Sequence, residues 1–154
     1  MSEQQDPGAL FLEALEAHRK ADVDRAIDLL RKVIRSDPRL PEPHLQLGRI
    51  HLDAGRLEDA EHETREALKW LEGGGQWVDD LPEEVMQSVA HGQMGEVLRQ
   101  IAESDEVIFG DPDRFQKLLK EARSHFDKAH ELDPTNEHAE MFSIHLKGEA
   151  EGDA

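Results

Sequence analysis

The chain has no cysteine and no tyrosine among its 154 residues, and only 5% of it is aromatic. Without cysteine there is neither a disulfide framework nor a thiolate metal site, and the composition suits a reducing, cytoplasmic setting. No stretch approaches the ~18 consecutive apolar residues of a membrane span, so no membrane insertion is expected. The N-terminus lacks a basic segment followed by an apolar run, so no secretory signal is expected either. Basic residues are scarce, 18 against 35 acidic ones, which leaves a net charge of −17 with histidine neutral. Such a field repels nucleic acid and anionic lipid, keeps the chain soluble and favours basic partners.

Catalytic signatures are missing too. There is no G-x-S-x-G, no P-loop and no G-x-G-x-x-G. Gly73-Gly74-Gly75 lacks the Lys and Ser/Thr of a phosphate cradle and reads as a linker. Carboxylates are so abundant that no pair stands out as general acid and base. Nine histidines raise the question of a metal. His44 and His51 share a helix face at a spacing of seven, as do His138 and His145, whereas ligands on one helix usually come three or four apart. His62-Glu63 opens like a zinc-protease motif, but Glu66 stands where the second histidine belongs. The histidines therefore read as structural or surface groups, and neither metal, cofactor nor catalysis is expected.

What the chain does have is one apolar helix pattern written twice at a spacing of 34 residues and a third time later. Val23, Ala26, Ile27, Val33 and Ile34 recur as Leu57, Ala60, Glu61, Ala67 and Leu68. The third copy is Leu119, Ala122, Phe126 and Ala129. The first closes on Ser36-Asp37-Pro38 and the third on Leu132-Asp133-Pro134. Because proline disfavours helical geometry in the residue before it, both sequences are stop signals. A period of 34 residues is what stacked helix pairs produce.

The remaining helices follow from spacing and punctuation. Leu10, Phe11, Ala14, Leu15 and His18 predict a helix over about 8–20. Asp22 or Asp24 is the expected cap of the next, and Pro41–Ala54 makes a third, ended by the Gly55 turn. Leu57–Leu71 is the fourth. Asp80-Leu81-Pro82-Glu83 reads as a start with a capping-box acid, before the 3–4 spacing of Val85, Met86, Val89, Ala90, Met94, Val97, Leu98 and Ile101. A loop is expected over Glu103–Gly110. Asp111-Pro112 then starts the partner helix, Phe115–Leu132, with aspartate as cap. A last helix is marked by Ala139, Phe142 and Leu146. The expected layout is a frayed 1–7, repeats over about 8–38, 41–72 and 83–134, a capping helix over 136–147 and a disordered acidic tail over 148–154.

At these residues the chain resembles the tetratricopeptide repeat family. Leu47-Gly48, Gly55, Leu57, Ala60, Ala67 and Leu68 carry the best match, and Ala14, Ala26 and Pro38 carry the first repeat. His44-Leu45-Gln46-Leu47-Gly48-Arg49-Ile50 reappears as His91-Gly92-Gln93-Met94-Gly95-Glu96-Val97, offset by 47, so the third repeat is lengthened. Leu10, His44 and His91 stand where the family often has a large aromatic residue. The resemblance implies an all-α, right-handed array of three antiparallel helix pairs plus a C-terminal cap.

It also implies a concave groove lined by the first helix of each pair. Its residues here would be Phe11, Leu15, His18 and Arg19, then Leu45, Arg49, Leu52 and Asp53, then Val89, Gly92, Glu96, Arg99 and Gln100. The competing reading makes Phe11, Leu15, Leu45 and Leu52 packing residues. Some family members grip the C-terminal carboxylate of chaperone tails with groove lysines and asparagines. The matching places here hold Phe11, Leu15, Gln46, Val89 and Gln93, with Gln46 taken as the comparable polar group, which disfavours a chaperone tail. The implied function is non-catalytic binding of a peptide or helix of another protein, as adaptor, scaffold or assembly factor. A self-associating structural module, using the groove or the Trp77 linker, is the alternative. A metal- or small-molecule-binding helical protein is the third.

Overall fold

A computed structural model describes residues 6–73 and 82–136 of the chain. The expectations for residues 1–5, for the linker Gln76–Pro82 with Trp77 as far as residue 81, for the capping helix beyond Asn136 and for the acidic tail lie outside those residues. Seven helices occur in order among the described residues: α1 Pro7–Arg19, α2 Val23–Ser36, α3 Pro41–Asp53, α4 Leu57–Glu72, α5 Glu83–Ala102, α6 Asp105–Gly110 and α7 Pro112–Leu132. α1 packs on α2, α3 on α4 and α5 on α7, while α2–α3 and α4–α5 contacts join the pairs into an array.

The punctuation works as its chemistry requires. Asp37 and Asp133, each before a proline, are extended at the ends of α2 and α7. Their carboxylates fold onto the following turn, accepting from the Arg39 and Thr135 backbone N–H groups at 3.0 Å. Asp111 caps α7 by accepting from the Arg114 N–H at 3.1 Å, and Pro112 opens the helix behind it. Asp22 precedes α2 but makes no side-chain capping bond. α1 and α3 end alike. Asp22 N–H reaches back to the Ala17 carbonyl at 2.8 Å, and Arg56 N–H to that of His51 at 2.9 Å. Both turns need a left-handed residue: Gly55 at φ 78°, and Ala21 at φ 62°, where the methyl group makes that conformation costly.

The small residues set how closely each pair approaches. At one register position α1 carries Ala14, α3 Gly48 and α5 Gly95. A Cβ on Gly48 would stand 2.7 Å from Thr64 Oγ1, and one on Gly95 would stand 2.9 Å from the Phe126 ring. Phe126 fills the space that Gly95 leaves and is fully buried with Met94, Leu98, Leu119 and Ala129. A second cluster joins Phe11, Ala14, Ala26, Leu30 and Val33 to Leu47 and Ile50 of the next pair. A third, at the turn end of the array, holds Leu52, Ala60, Val97, Ile101 and Val107.

The lengthened third pair is present, with 20 residues in α5 and 21 in α7 against 13 and 16 in α3 and α4. The segment expected as a loop over Glu103–Gly110 is mostly the short helix α6. Val107 anchors it in the third cluster, and a six-residue helix is too short to show a periodic apolar stripe in the sequence.

Candidate functional site

The first helices of the second and third pairs, α3 and α5, flank a cleft of about 330 Å³. Leu45, Gln46 and Arg49 line it from α3, Val89, Gly92, Gln93 and Glu96 from α5, and Asn136 closes one side. The sequence places these groups together because the spacing 45–49 and 89–92–96 returns to one helix face each turn. Val89 gives exposed apolar wall with the largely buried Leu45 facing it, Gly92 adds no side chain on the α5 side, and Arg49 supplies donors beside Gln46, whose amide is shared with His18. That combination, a concave apolar surface with a few fixed polar groups, suits a ligand side chain and its backbone.

Five of the expected groove residues meet at this cleft: Leu45, Arg49, Val89, Gly92 and Glu96. The others are distributed around it. Phe11 and Leu52 are buried in the second and third clusters and Leu15 packs against the second, so these three serve packing. His18 joins α1 to α3, its Nδ1 accepting from the Gln46 amide at 2.8 Å. Asp53 stands 3.3 Å from the Arg49 guanidinium. The Glu96 carboxylate accepts from Arg99 at 2.6 Å and from Gln100 at 2.9 Å, and Arg99 also donates to Glu103. Arg19 is exposed beside Glu16. The three groove arginines each carry a carboxylate on their own helix, so the strip is one of paired charges.

Gln93 is as polar as Gln46 but is not a groove group in the same sense. Its amide nitrogen donates to the Leu45 carbonyl at 3.1 Å and to Thr64 Oγ1 at 2.9 Å, which ties α5 to α3 and α4. A buried donor satisfied twice by its own fold is poorly placed to serve a ligand.

Two histidine pairs behind the groove were not read from the sequence, although the repeat register contains them. Offsets of 47 and 62 carry His44 to His91 and Glu63 to His125. His44 donates from Nδ1 to Glu63 at 2.7 Å and from Nε2 to the Pro38 carbonyl at 2.8 Å. The Pro38 carbonyl and an ionised Glu63 both accept, so the site favours the doubly protonated ring. Burial opposes that charge, yet Glu63 and the Pro38 carbonyl outweigh it and raise the pKa. His91 stacks on His125 with the two Nδ1 atoms 2.9 Å apart, so one donates and the other accepts. Burial first, and then the neighbouring His125 and Lys128, push His91 down to about 4. Burial lowers His125 as well. In the first pair the same two places are Leu10 and Leu29. Among the described residues no three histidine or carboxylate side chains gather as a metal site, and no helix is long and apolar enough to cross a membrane.

Residues 15–80 match the tetratricopeptide repeat family. No curated protein matches the sequence. Among solved structures, the fold is similar to the tetratricopeptide domain of Arabidopsis OM64, with a TM-score of 0.68 at 13% identity over 92% of this chain and 93% of that one. It is similar to the first such domain of Spaghetti (RPAP3) bound to the HSP90 peptide SRMEEVD, with 0.67 at 18% identity over 94% and 93%. It is also similar to the second such domain of human RPAP3 in complex with the HSP70 peptide SGPTIEEVD, with 0.65 at 17% identity over 93% and 99%.

Proposed function

From the premise that the chain carries tetratricopeptide repeats over residues 15–80 in the fold of a tetratricopeptide-repeat domain, we propose that it is a non-catalytic adaptor holding a peptide segment of another protein. The observation that carries this reading is the cleft between α3 and α5, which lies on the first helices of two successive pairs. Two similar folds hold peptides, which supports a protein-interaction role. The occupant fitted to the cleft is an apolar side chain against Leu45 and Val89, followed by an acidic group that competes with Asp53 for Arg49. Apolar burial would supply affinity at ~25 cal/mol per Å². Charge-assisted hydrogen bonds from Arg49 would fix orientation.

A chaperone tail is not the occupant proposed. The places that matter for such tails hold Phe11 and Leu15, which pack, and Gln93, whose amide is engaged within the fold. Peptides selected by display against the full chain test the proposal. They should share an apolar–acidic pattern, compete with one another and outbind SRMEEVD and SGPTIEEVD. Selected peptides without a common pattern, or tighter binding of the two tails, would overturn it. A solution mass of two or more copies that falls to one on adding peptide would instead favour self-association through the groove.

A further inference from the structure

α6 presents apolar surface that the fold does not use. The Phe109 side chain is 82% exposed and Ile108 is 42% exposed, whereas Val107 between α5 and α7 is buried. A shallow cleft of about 250 Å³ lies beside them, lined by Ile108, Pro112, Asp113, Phe115 and Gln116. Val107 packs with Leu52, Ala60, Val97 and Ile101, so α6 is pinned to the array while its outer side stays in water. Two neighbouring apolar side chains held outward next to a cleft are more than scattered surface residues.

Acidic residues prevail around this patch, although Arg99 pairs with Glu103 and Arg114 and Lys117 follow on α7. From Ala102 to Asp113 the chain has five acidic residues and no basic one. Glu103 is held by Arg99 and Asp111 caps α7, while Asp105, Glu106 and Asp113 are exposed around Ile108 and Phe109. We propose that α6 is a second docking surface, separate from the α3–α5 cleft, that takes an apolar side chain from a positively charged amphipathic segment of a partner protein. Charge decides between the occupants. A second copy would bring this acidic rim against another acidic surface on a chain of net charge −17. The chain's own remaining segments fit no better: residues 74–81 carry Asp79 and Asp80 with no base, and residues 137–154 carry five acids and Lys147 alone. A basic partner gains from the rim, and the rim also steers its approach.

Calorimetric titration of the full chain with two synthetic helical peptides tests this. Both carry leucines on one face. One carries lysines on the other face, the second glutamates. The lysine peptide should bind saturably, and Phe109→Ala should weaken it at least about tenfold, as expected of a central apolar anchor. D105N with E106Q should weaken it and flatten its salt dependence, while Arg49→Glu should leave it unchanged. Phe109 is exposed, so its loss leaves the fold intact, and the helical spectrum of the variant checks this. No saturable binding, equal binding of both peptides, or indifference to Phe109→Ala would overturn the proposal. Binding changed by Arg49→Glu, which would strengthen for a cationic peptide seated there, would assign the peptide to the α3–α5 cleft instead. A dimer without peptide, dissolved by Phe109→Ala, would name a second copy as the occupant.

Discussion

Lowering the pH should unfold this protein through His91 and His125. Their rings share one Nδ1–H···Nδ1 hydrogen bond at 2.9 Å in a buried stack. An added proton must enter where water is scarce and a second imidazole and Lys128 stand near. His91 is held at about 4, against 6.5 for the group in an unfolded chain. Above pH 6.5 both states leave it neutral, so it contributes no pH dependence there. Below 6.5 the unfolded chain takes up the proton and the folded chain does not, and stability falls until the pH reaches about 4. At ~1.36 kcal/mol per pH unit this amounts to about 3 kcal/mol from His91 alone. His44 runs the other way: its raised pKa gives stability that is complete below 6.5 and lost as the pH rises through the folded value. The first helix pair supplies the reference chemistry, with Leu10 and Leu29 at the equivalent places. A chain with His91→Leu and His125→Leu keeps every carboxylate and His44, so their titrations cancel in the comparison. Urea unfolding followed by helical circular dichroism should show the two chains diverging by at least about 3 kcal/mol between pH 6.5 and 4, the double variant being the less acid-sensitive. Parallel pH profiles would refute the reasoning, as would a His91 titration midpoint near 6.5 by nuclear magnetic resonance.

Two substitutions test the packing of the pairs and a third tests the backbone of a turn. Gly95→Ala puts a Cβ 2.9 Å from the buried Phe126 ring and should cost about 1–3 kcal/mol in denaturant unfolding. Ala60→Leu adds bulk to a fully buried site among Leu52, Val97 and Ile101 and should cost about the same; an unchanged melting temperature would contradict its burial. Ala21→Gly should stabilise by about 0.5–1 kcal/mol, because glycine relieves the left-handed strain at φ 62° at some cost in unfolded-state entropy.

The helix pairs were legible because their determinants are local and repeated. Asp37-Pro38, Asp111-Pro112 and Asp133-Pro134 fix ends through bonds within a few residues, and Ala14, Gly48 and Gly95 mark the close approaches. The α3–α5 cleft was legible in part, since helix spacing places Arg49 beside Leu45 and Glu96 beside Gly92. What escaped depends on contacts between elements. Gln93 resembles a groove residue until Thr64 and Leu45 are seen to claim its amide. α6 escaped because its helicity rests on Val107 alone reaching the core. Arg65 is a second case: nothing near it in the sequence marks a partner, yet it donates at 3.0 Å to Glu121 and so bridges α4 to α7. Reversing it would also break that bridge, which makes the exposed Lys120 on α7 the better control for a charge reversal.

The central claim, that the α3–α5 cleft receives the partner, is tested most directly by the dissociation constant of a display-selected peptide for Arg49→Glu and Lys120→Glu. Arg49 is 54% exposed in its side chain, so its reversal should leave the helical spectrum and melting temperature intact. Binding should weaken at least about tenfold for Arg49→Glu, or ~1.4 kcal/mol, and change little for Lys120→Glu. Equal effects of the two reversals, or full affinity of Arg49→Glu, would contradict it.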